Sequence, residues 1–290
     1  MNQDSIRTYA SATAILTGGA SGIGRAMAQE LAARGCEVVV ADRQDELAEE
    51  VAAGIRASGG KARAEKLDVC DFNAVDRLVK DTIDRTGRLD YMFNNAGILM
   101  QGNACHHCID DWNYIVDVNL RGVINGVQAA YTVMLDQGFG HIVNTASLAG
   151  VAPGPGIVSY SATKHAVFGL SMSLRGEAAS KGVRVSVFCP GFIDTPILDG
   201  GGKFGKMLVD ISPREKQMID EMIKKFRPIP PEKFAVKALD QLARNKAIIM
   251  VPAKYKLIWW IHRLFPSGAV SLAGKHFQEM QIKLEEETNA

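Results

Sequence analysis

Residues 12–24 read ATAILTGGASGIG, a short β-rich run that ends in a glycine turn. An apolar, alanine-rich pattern with helical spacing follows it through Arg34. A strand, a glycine turn and a helix in this order form an anion-binding unit. Gly18 allows the sharp turn, Gly22 lets backbone N–H groups approach a pyrophosphate, and Gly24 lets the helix pack close to the strand. The stretch therefore predicts an α/β nucleotide-binding fold.

A second β-rich run, EVVVA at residues 37–41, ends in Asp42, eighteen residues beyond Gly24. A carboxylate at this strand end accepts both hydroxyls of an adenosine ribose and repels a 2′-phosphate, which favours NAD. The neighbouring Arg43 supports the alternative, because an arginine at this place meets the 2′-phosphate of NADP.

Tyr160 and Lys164 lie four residues apart, and Ser147 precedes the tyrosine by thirteen residues. A helix over residues 159–180 puts the phenol and the ammonium on one face. A tyrosine with an ordinary pKa of about 10 transfers protons poorly near neutrality, and an adjacent cation stabilises its phenolate. The pair is therefore a candidate acid/base unit, the alternative being an ordinary surface pair.

In their order and spacing, these motifs resemble those of the short-chain dehydrogenase/reductase family, from about residue 11 to about residue 200. The resemblance implies one Rossmann-like domain that holds both the cofactor and the active site. The motifs that carry it are Thr17-Gly18-xxx-Gly22-Ile23-Gly24, Asn94-Asn95-Ala96-Gly97, Asn119, Ser147, Tyr160-xxx-Lys164 and Pro190-Gly191.

The resemblance also implies a role for each matching residue. Tyr160 is then the catalytic acid/base, and Lys164 lowers its pKa and binds the nicotinamide ribose. Ser147 holds the substrate oxygen, and Asn119 anchors a water that relays protons from the lysine. The implied cofactor-binding residues are Gly18, Ser21, Gly22, Ile23, Gly24, Asp42, Arg43, the adenine-contacting pair Asp68-Val69, the turn Asn94-Asn95-Ala96-Gly97, Tyr160, Lys164, and Pro190, Gly191, Ile193 and Thr195 over the nicotinamide.

The alternation of strand-like and helix-like segments predicts a doubly wound, parallel sheet of about seven strands flanked by helices. The predicted strands are near residues 13–17, 37–41, 62–67, 90–94, 140–145, 183–189 and 247–251. The predicted helices are near residues 22–34, 45–58, 71–86, 110–136, 159–180 and 231–244. We interpret residues 1–252 as one domain, with a variable substrate lid at about 192–230, and residues 253–290 as a C-terminal helical extension.

Composition limits the remaining classes of function. The 290 residues carry a formal net charge of +1 with both signs interspersed, so nucleic acid is not expected as a partner. Five scattered cysteines and a start without an apolar segment indicate a cytoplasmic protein with reduced thiols. Adjacent Cys and His residues at 105–108 lack the spacing of a metal site, and we expect no metal. We expect a small-molecule substrate and a homodimer or homotetramer.

An aromatic and basic segment at residues 254–265 is too short to span a bilayer. We expect it to cover the substrate entrance or a neighbouring subunit, with a weak membrane-surface contact as the alternative. Trp259 and Trp260 are adjacent, so one should pack inward while the other lies at the edge of the apolar stripe. We expect the tail from Lys275 to Glu287 to be a solvated, charged helix.

The lid segment is rich in Phe, Met, Leu and Ile, which favours an extended hydrophobic substrate, and Gly200-Gly201-Gly202 forms a candidate hinge. We therefore expect an NAD(H)-dependent oxidoreductase that interconverts a secondary alcohol and a ketone on a steroid, aryl or lipid-like substrate. One alternative is an NADPH-dependent carbonyl reductase of the same fold. Another is a non-catalytic nucleotide-binding scaffold, which has no chemical need for the Asn119, Ser147, Tyr160 and Lys164 set.

Overall fold

The computed structural model describes residues 5–199 and 204–288. The candidate hinge Gly200-Gly201-Gly202 lies outside these residues. Seven parallel strands form the central sheet, as predicted, in the spatial order β3-β2-β1-β4-β6-β7-β9. These strands are β1 (Thr13–Thr17), β2 (Glu37–Asp42), β3 (Lys61–Lys66), β4 (Tyr91–Asn94), β6 (Gly140–Thr145), β7 (Val183–Pro190) and β9 (Ile248–Val251); two short strands, β5 (Leu99–Gln101) and β8 (Gly205–Met207), pair outside it.

Helices cover both faces of the sheet, because successive residues of each parallel strand point to opposite sides. Leu16 and Val40 face the core beneath α1, α2 and α8, whereas Ile15 and Val39 face the core beneath α3 and α5. The helices are α1 (Gly22–Ala33), α2 (Asp45–Ala57), α3 (Phe72–Thr86), α4 (Ile109–Val116), α5 (Gly122–Gln137), α6 (Val158–Ala178), α7 (Pro213–Lys225), α8 (Pro231–Leu242), α9 (Tyr255–Leu264) and α10 (Pro266–Thr288).

The single helix predicted at 110–136 is wrong in one respect. The chain forms α4, then a π-helical turn at Asp117–Arg121, and then α5. Asn119 lies inside this turn, where two hydrogen bonds tie its side chain to the backbone of Ile98. Such turns break the regular i to i+4 bonding of a helix and occur often at functional sites. Sequence periodicity does not distinguish them from a continuous helix.

The lid segment (residues 192–230) contains β8 and α7, and the contacts that join it to the rest of the chain include a strand pairing and an ion pair. β8 pairs in parallel with β5, so Leu99 lies opposite Gly205 and Gln101 opposite Met207. The ammonium of Lys206 lies 2.7 Å from a carboxylate oxygen of Asp111 at the start of α4. The sequence did not predict this pairing, because each strand has three residues and the two are far apart in the chain.

The last two helices, α9 and α10, follow β9 directly. Tyr255 at the start of α9 is 3% exposed and packs against Gly191, where the ring leaves no space for a Cβ atom. The tail from Lys275 to Glu287 is helical, as expected, and belongs to α10; most of its described side chains are exposed, while the half-buried Phe277 and Met280 line the central cavity. Within residues 5–199 and 204–288, no helix is long and apolar enough to cross a membrane.

Candidate active site

A cavity of about 990 Å³ opens where the β1, β2, β4, β6 and β7 strands end. The carboxyl ends of parallel strands are where open α/β sheets bind their ligands. One end of the cavity reaches Asp42 and Asp68, and the other reaches Ser147 and Tyr160. The lining of this one cavity therefore includes both the residues expected to bind a dinucleotide and those expected to bind a substrate.

The glycine turn forms one wall of the cavity. Because its glycines have no side chains, a dinucleotide phosphate can approach the backbone N–H groups closely. A Cβ atom on Gly18, which has φ +66°, would lie 2.8 Å from Ala96 Cα, and one on Gly24 would collide with the Gly18 carbonyl oxygen. The N-cap of α1 is Ser21, whose side chain makes no capping hydrogen bond. The first N–H groups of a helix lack intrahelical partners and attract anions. Gly22, Ile23 and Gly24 present this helix end to the cavity.

Asp42 is held at the end of β2 by two backbone amides. Its Oδ2 accepts a hydrogen bond from Ala20 N at 3.1 Å, and its Oδ1 accepts one from Gln44 N at 3.0 Å. A carboxylate has about four lone-pair positions, so acceptor capacity remains for ribose hydroxyls. The exposed Arg43 also lines the cavity and donates to Tyr114 Oη at 3.3 Å.

The turn that follows β3 contributes Asp68 and Val69, which both line the same end of the cavity. Asp68 Oδ1 accepts from Cys70 N at 2.9 Å, a bond within its own turn. The Val69 carbonyl accepts from Asn125 Nδ2 at 2.8 Å, so α5 holds this turn in place. The structure therefore brings the predicted adenine-contacting pair next to Asp42 and Arg43.

Thr17 joins the glycine turn to the turn after β4. Its hydroxyl accepts from the backbone N–H groups of Asn95 and Ala96 at 3.0 and 3.1 Å. Asn95 Nδ2 donates back to the Thr17 carbonyl at 3.1 Å. Asn94, which precedes these residues in the same motif, is 2% exposed, donates from Nδ2 to Asn144 Oδ1 at 2.8 Å and lies outside the cavity lining. As the last residue of β4, Asn94 points beneath α5 rather than toward the cavity.

Lys164 is 3% exposed and lies in the middle of the cavity wall. Its ammonium donates to the Thr145 carbonyl at 2.8 Å and lies 5.5 Å from the centre of the Tyr160 ring. Burial lowers the pKa of Lys164 to about 8, because a desolvated ammonium loses its proton more readily. A Cβ atom on Gly97 would lie 3.3 Å from this ammonium, so Gly97 keeps the space beside it open.

Asn119 is fully buried, and hydrogen bonds occupy its side chain. Oδ1 accepts from Ile98 N at 2.8 Å, while Nδ2 donates to the Ile98 carbonyl at 2.9 Å and to Thr163 Oγ1 at 3.3 Å. The residue thus ties the π-helical turn, the loop after β4 and α6 together next to Gly97. This geometry gives the amide a positioning role, and its two N–H donors are already used.

Tyr160 and Ser147 face each other across the far end of the cavity. Ser147 follows β6 and caps a short 3-10 turn, and its hydroxyl accepts from Ala149 N at 3.1 Å. Burial raises the pKa of the Tyr160 phenol, and a hydrogen bond to Ser147 opposes that rise. In the free protein the desolvation of the phenol therefore outweighs any stabilisation of its phenolate.

The loop after β7 closes the wall opposite Tyr160. Gly191 N donates to the Val251 carbonyl at 3.0 Å, and the hydroxyl of Thr195 donates to the Ile193 carbonyl at 3.3 Å. A Cβ atom on Gly22 would touch Thr195 at 3.3 Å, so this loop lies against the glycine turn. Pro190 belongs to β7 itself, and with Gly191, Ile193 and Thr195 it lines the cavity.

The end of the cavity beyond Tyr160 has largely apolar walls. Phe192 and Phe226 stack with their ring centres 4.2 Å apart. The lid segment and both C-terminal helices contribute the remaining apolar groups, which include Leu198, Phe204, Met207, Ile219, Met222, Ile223, Ile258, Phe277 and Met280.

Sequence reasoning missed several residues of this site. Gln44 and Gln101 line the cavity, and each has a buried side-chain oxygen without a hydrogen-bond partner in the described part of the chain. Ala273, Phe277 and Met280 on α10 also line it. Their spacing of three and four residues was the signal for an inward-facing stripe.

Within residues 5–199 and 204–288, no three His, Cys, Asp or Glu side chains are arranged so that they could hold a metal ion.

Comparison with known proteins agrees with this geometry. The family described as short chain dehydrogenase matches residues 12–202. The chain is 40% identical over 187 residues to a 3-oxoacyl-[acyl-carrier-protein] reductase of Synechocystis, covering 64% of this chain and 76% of that protein. It is 39% identical over 184 residues to a 2,5-dichloro-2,5-cyclohexadiene-1,4-diol dehydrogenase of Sphingobium indicum, covering 63% and 74%. Residues beyond 202, which include α7, α9 and α10, lie outside the family match.

Solved structures show the same architecture. A short chain dehydrogenase/reductase from Burkholderia phymatum in complex with NAD superposes with a TM-score of 0.80 at 26% identity, covering 89% of this chain and 95% of that one. A candidate NAD(P)-dependent gluconate 5-dehydrogenase from Beutenbergia cavernae, with NADP bound at low occupancy, gives 0.75 at 29% identity, covering 86% and 98%. Family, fold and site thus agree, and the chain belongs to the short chain dehydrogenase family as an oxidoreductase that acts on CH–OH groups through an NAD(P)-type Rossmann fold.

Proposed function

We propose that this protein is an NAD(H)-dependent dehydrogenase that interconverts a secondary alcohol and a ketone on an apolar substrate. One observation carries the proposal: Tyr160 and Ser147 line the same cavity, in a part whose other walls are largely apolar. A bound dinucleotide supplies the transfer of hydride, which the side chains of the protein cannot provide.

Tyr160 moves the proton in this proposal. In the direction of reduction, its neutral phenol donates the proton to the developing alkoxide, and in oxidation its phenolate accepts the alcohol proton. Ser147 donates a hydrogen bond to the same substrate oxygen and so fixes its position between the two hydroxyls. Since burial raises the pKa of Tyr160, the free protein holds the phenol in the form that reduction requires.

Lys164 and Asn119 support this proton transfer. The ammonium of Lys164 lies beside the ring of Tyr160 and stabilises negative charge there, and we propose that it also binds the nicotinamide ribose. Asn119 positions the loop that carries Gly97, which leaves the space beside Lys164 open. Asp42 supports NAD over NADP, since its carboxylate repels a 2′-phosphate, while Arg43 supports the NADPH-dependent alternative.

The substrate class follows from the walls of the cavity. Apolar pockets with a few convergent polar groups bind largely apolar ligands and orient them by those polar groups. Here the polar groups beyond the hydroxyl pair include the amide of Gln101 at the end of β5. Steroids, aryl carbinols and long-chain secondary alcohols fit this description better than polyols.

A substrate panel tests the proposal. The purified protein is incubated with NAD or NADP and with steroid alcohols, aryl carbinols, long-chain secondary alcohols and polyols, and the reduced nicotinamide is followed by its absorbance. We expect kcat/KM to be highest for an apolar secondary alcohol with NAD. Equal or better turnover of polyols would contradict the substrate class, and a tenfold preference for NADP would favour the reductase alternative.

A further inference from the structure

The face of α9 that points away from the cavity is apolar and open to solvent. Leu257, Trp260, Ile261, Leu264 and the following Phe265 form this outer face, and they are between 43% and 68% exposed. An ordinary surface helix places its apolar stripe against the core and its polar residues outside. On α9 the apolar stripe is directed outward, so packing among residues 5–199 and 204–288 does not account for it.

The opposite side of α9 holds the helix in place. Tyr255 is buried, Trp259 packs against the core beneath β7 and β9, and His262 Nδ1 lies 3.0 Å from the Val151 carbonyl. Trp260 is 49% exposed, so Trp259 faces inward and its neighbour lies at the edge, as the sequence predicted. The orientation of the outer face is therefore fixed by the inner contacts.

The charged residues along the segment that contains this face have one sign. Residues 251–278 contain the cations Lys254, Lys256, Arg263 and Lys275, and no Asp or Glu. Successive helix positions differ by about 100°, which places Lys256 and Arg263 together along one border of the apolar stripe. Arg263 extends over the Trp259 ring at 5.9 Å. Aromatic and aliphatic side chains bordered by cations are typical of helices that lie in a lipid headgroup layer.

We propose that the outer face of α9 docks on the surface of an anionic membrane, with its apolar side chains in the headgroup layer and Lys256 and Arg263 on lipid phosphates. The proposed contact is with the surface of the bilayer, because α9 has ten residues and a bilayer-spanning helix needs about 20. Each Lys or Arg near an anionic membrane adds favourable electrostatic energy that salt screens.

A second copy of the chain fits this face less well. A twofold contact brings the same patch of both subunits together. Lys256 and Arg263 would then approach the cations of the partner with no carboxylate from residues 251–278 between them. An anionic surface satisfies the same charges, and for this reason we assign the face to lipid.

The docked position also has a consequence for the substrate, which rests on the proposed function. The inward sides of α9 and α10 carry Ile258, Phe277 and Met280, which line the apolar end of the cavity. The helix pair that contacts the membrane thus also forms the wall of the substrate site. An apolar alcohol dissolved in the bilayer would then reach the site next to the docked face.

Sedimentation with vesicles tests the proposal on the full-length protein. We expect it to sediment with vesicles of phosphatidylcholine containing about one third phosphatidylglycerol, and at least about fivefold less with phosphatidylcholine alone or at about 0.5 M salt. Two double variants, Leu257→Ser with Leu264→Ser and Lys256→Glu with Arg263→Glu, should each lower binding at least about tenfold.

Matched controls make the same kinds of substitution, one apolar to polar and one charge reversal, at positions outside α9. Ile109→Ser removes an apolar side chain that is 71% exposed on α4, and Lys61→Glu with Lys181→Glu reverses two exposed charges far from α9. Both controls should sediment like the wild type. Wild-type protein that does not sediment, or outer-face variants that still do, would overturn the proposal.

Light scattering of the same variants without vesicles tests whether a second copy of the chain, rather than lipid, covers the outer face of α9. If the outer-face variants have the same oligomeric state as the wild type, the result supports lipid as the occupant of this face. If the variants dissociate into smaller oligomers, the face is a subunit contact and the proposal is overturned. Because sedimentation needs no turnover, absence of dehydrogenase activity would count against the proposed function and leave the membrane result standing.

Discussion

Tyr160 has the only side chain in the proposed reaction that transfers the proton, and Ser147 lines the cavity together with it. We predict that Tyr160→Phe lowers kcat by about 10²–10⁴-fold, since it removes the proton donor and keeps the ring. The affinity for the dinucleotide should stay close to that of the wild type. Steady-state kinetics and cofactor titration measure both.

Tyr131→Phe is the matched control, because it removes another buried phenol hydroxyl, one that lies outside the cavity lining. It should leave kcat unchanged. A Tyr160→Phe variant with nearly wild-type kcat would contradict the assignment of the acid/base.

Lys164 combines a proposed catalytic role with a cost in stability. Burial lowers its pKa to about 8 from an ordinary value of about 10.5, so the charged form destabilises the fold at neutral pH. The unfolded chain binds more protons between these two pKa values, and this penalty therefore disappears as pH rises from 8 toward 10.5. The hydrogen bond to the Thr145 carbonyl offsets part of it.

We predict that Lys164→Met abolishes turnover, weakens cofactor binding and raises the melting temperature by a few degrees at pH 7. The stabilisation should shrink between pH 8 and pH 10. Thermal melts across this range and cofactor titration measure these effects, with Lys80→Met on the solvent side of α3 as control. If Lys164→Met binds the cofactor as tightly as the wild type, the proposed role of Lys164 in binding the nicotinamide ribose is wrong.

Asp42 tests the choice of cofactor. We predict that Asp42→Ala weakens NAD binding by about tenfold, or about 1.4 kcal/mol, and narrows the difference from NADP, since the charge that repels a 2′-phosphate is lost. Asp42→Asn removes the charge but keeps one acceptor oxygen, so it retains one of the two hydrogen bonds that Ala20 N and Gln44 N donate to separate oxygens of Asp42, whereas Asp42→Ala loses both. Dissociation constants for both nucleotides measure the result. If the wild type already binds NADP tenfold more tightly, Arg43 dominates instead.

Among the elements, the lid segment depends on its pairing with the main domain. The Lys206 ammonium, with help from Cys108, lowers the pKa of Asp111 to about 2. A carboxylate with a lowered pKa stabilises the folded arrangement above its ordinary pKa of about 4, and this contribution is lost as pH falls toward 2. The ion pair is therefore fully formed at neutral pH.

We predict that Lys206→Met raises KM for apolar substrates by about two- to fivefold, because a partly exposed ion pair contributes little more than about 1 kcal/mol. Cofactor affinity should not change, since β8 lies away from the glycine turn. Lys216→Met on α7 of the same lid segment provides the control. An equal effect of the two variants would show that the pair with Asp111 does not position the lid.

For the whole molecule, the C-terminal helices α9 and α10 line the apolar end of the cavity, where we propose that the substrate binds. Deleting residues 253–290 would also remove Tyr255, which packs on Gly191 behind the nicotinamide loop. A deletion that starts at Pro266 removes only α10. We predict that this shorter deletion raises KM for apolar substrates at least about tenfold and leaves NAD affinity unchanged, because α10 contributes Phe277 and Met280.

Point variants on the two sides of α10 sharpen this prediction. Phe277→Ala on the cavity side should raise KM, whereas Ile282→Ala, at a position 46% exposed, should not. KM measured for one apolar alcohol across the three proteins decides the matter. A deletion with unchanged KM would show that α10 does not contact the substrate.

The sequence by itself determined the sheet, the glycine turn and the residues that meet in the cavity. These features depend on local rules: the continuous β-rich run along Thr13–Thr17, in which every residue is buried, the need for glycine at positions 18 and 24, and the helical spacing of Tyr160 and Lys164. Parallel strands then bring their carboxyl ends together, so residues such as Asp42 and Ser147 reach one cavity from distant parts of the chain.

Only the tertiary structure decided the features that depend on contacts between distant segments. The π-helical turn around Asn119 forms where its side chain bonds to Ile98, and β8 exists because it pairs with β5. The inward stripe of α10 and the burial of Asn94 likewise depend on which neighbour each residue meets. The periodicity of apolar residues predicts which residues share a face of a helix or strand. It does not predict which distant segment packs against that face, and this is decided only when the chain folds.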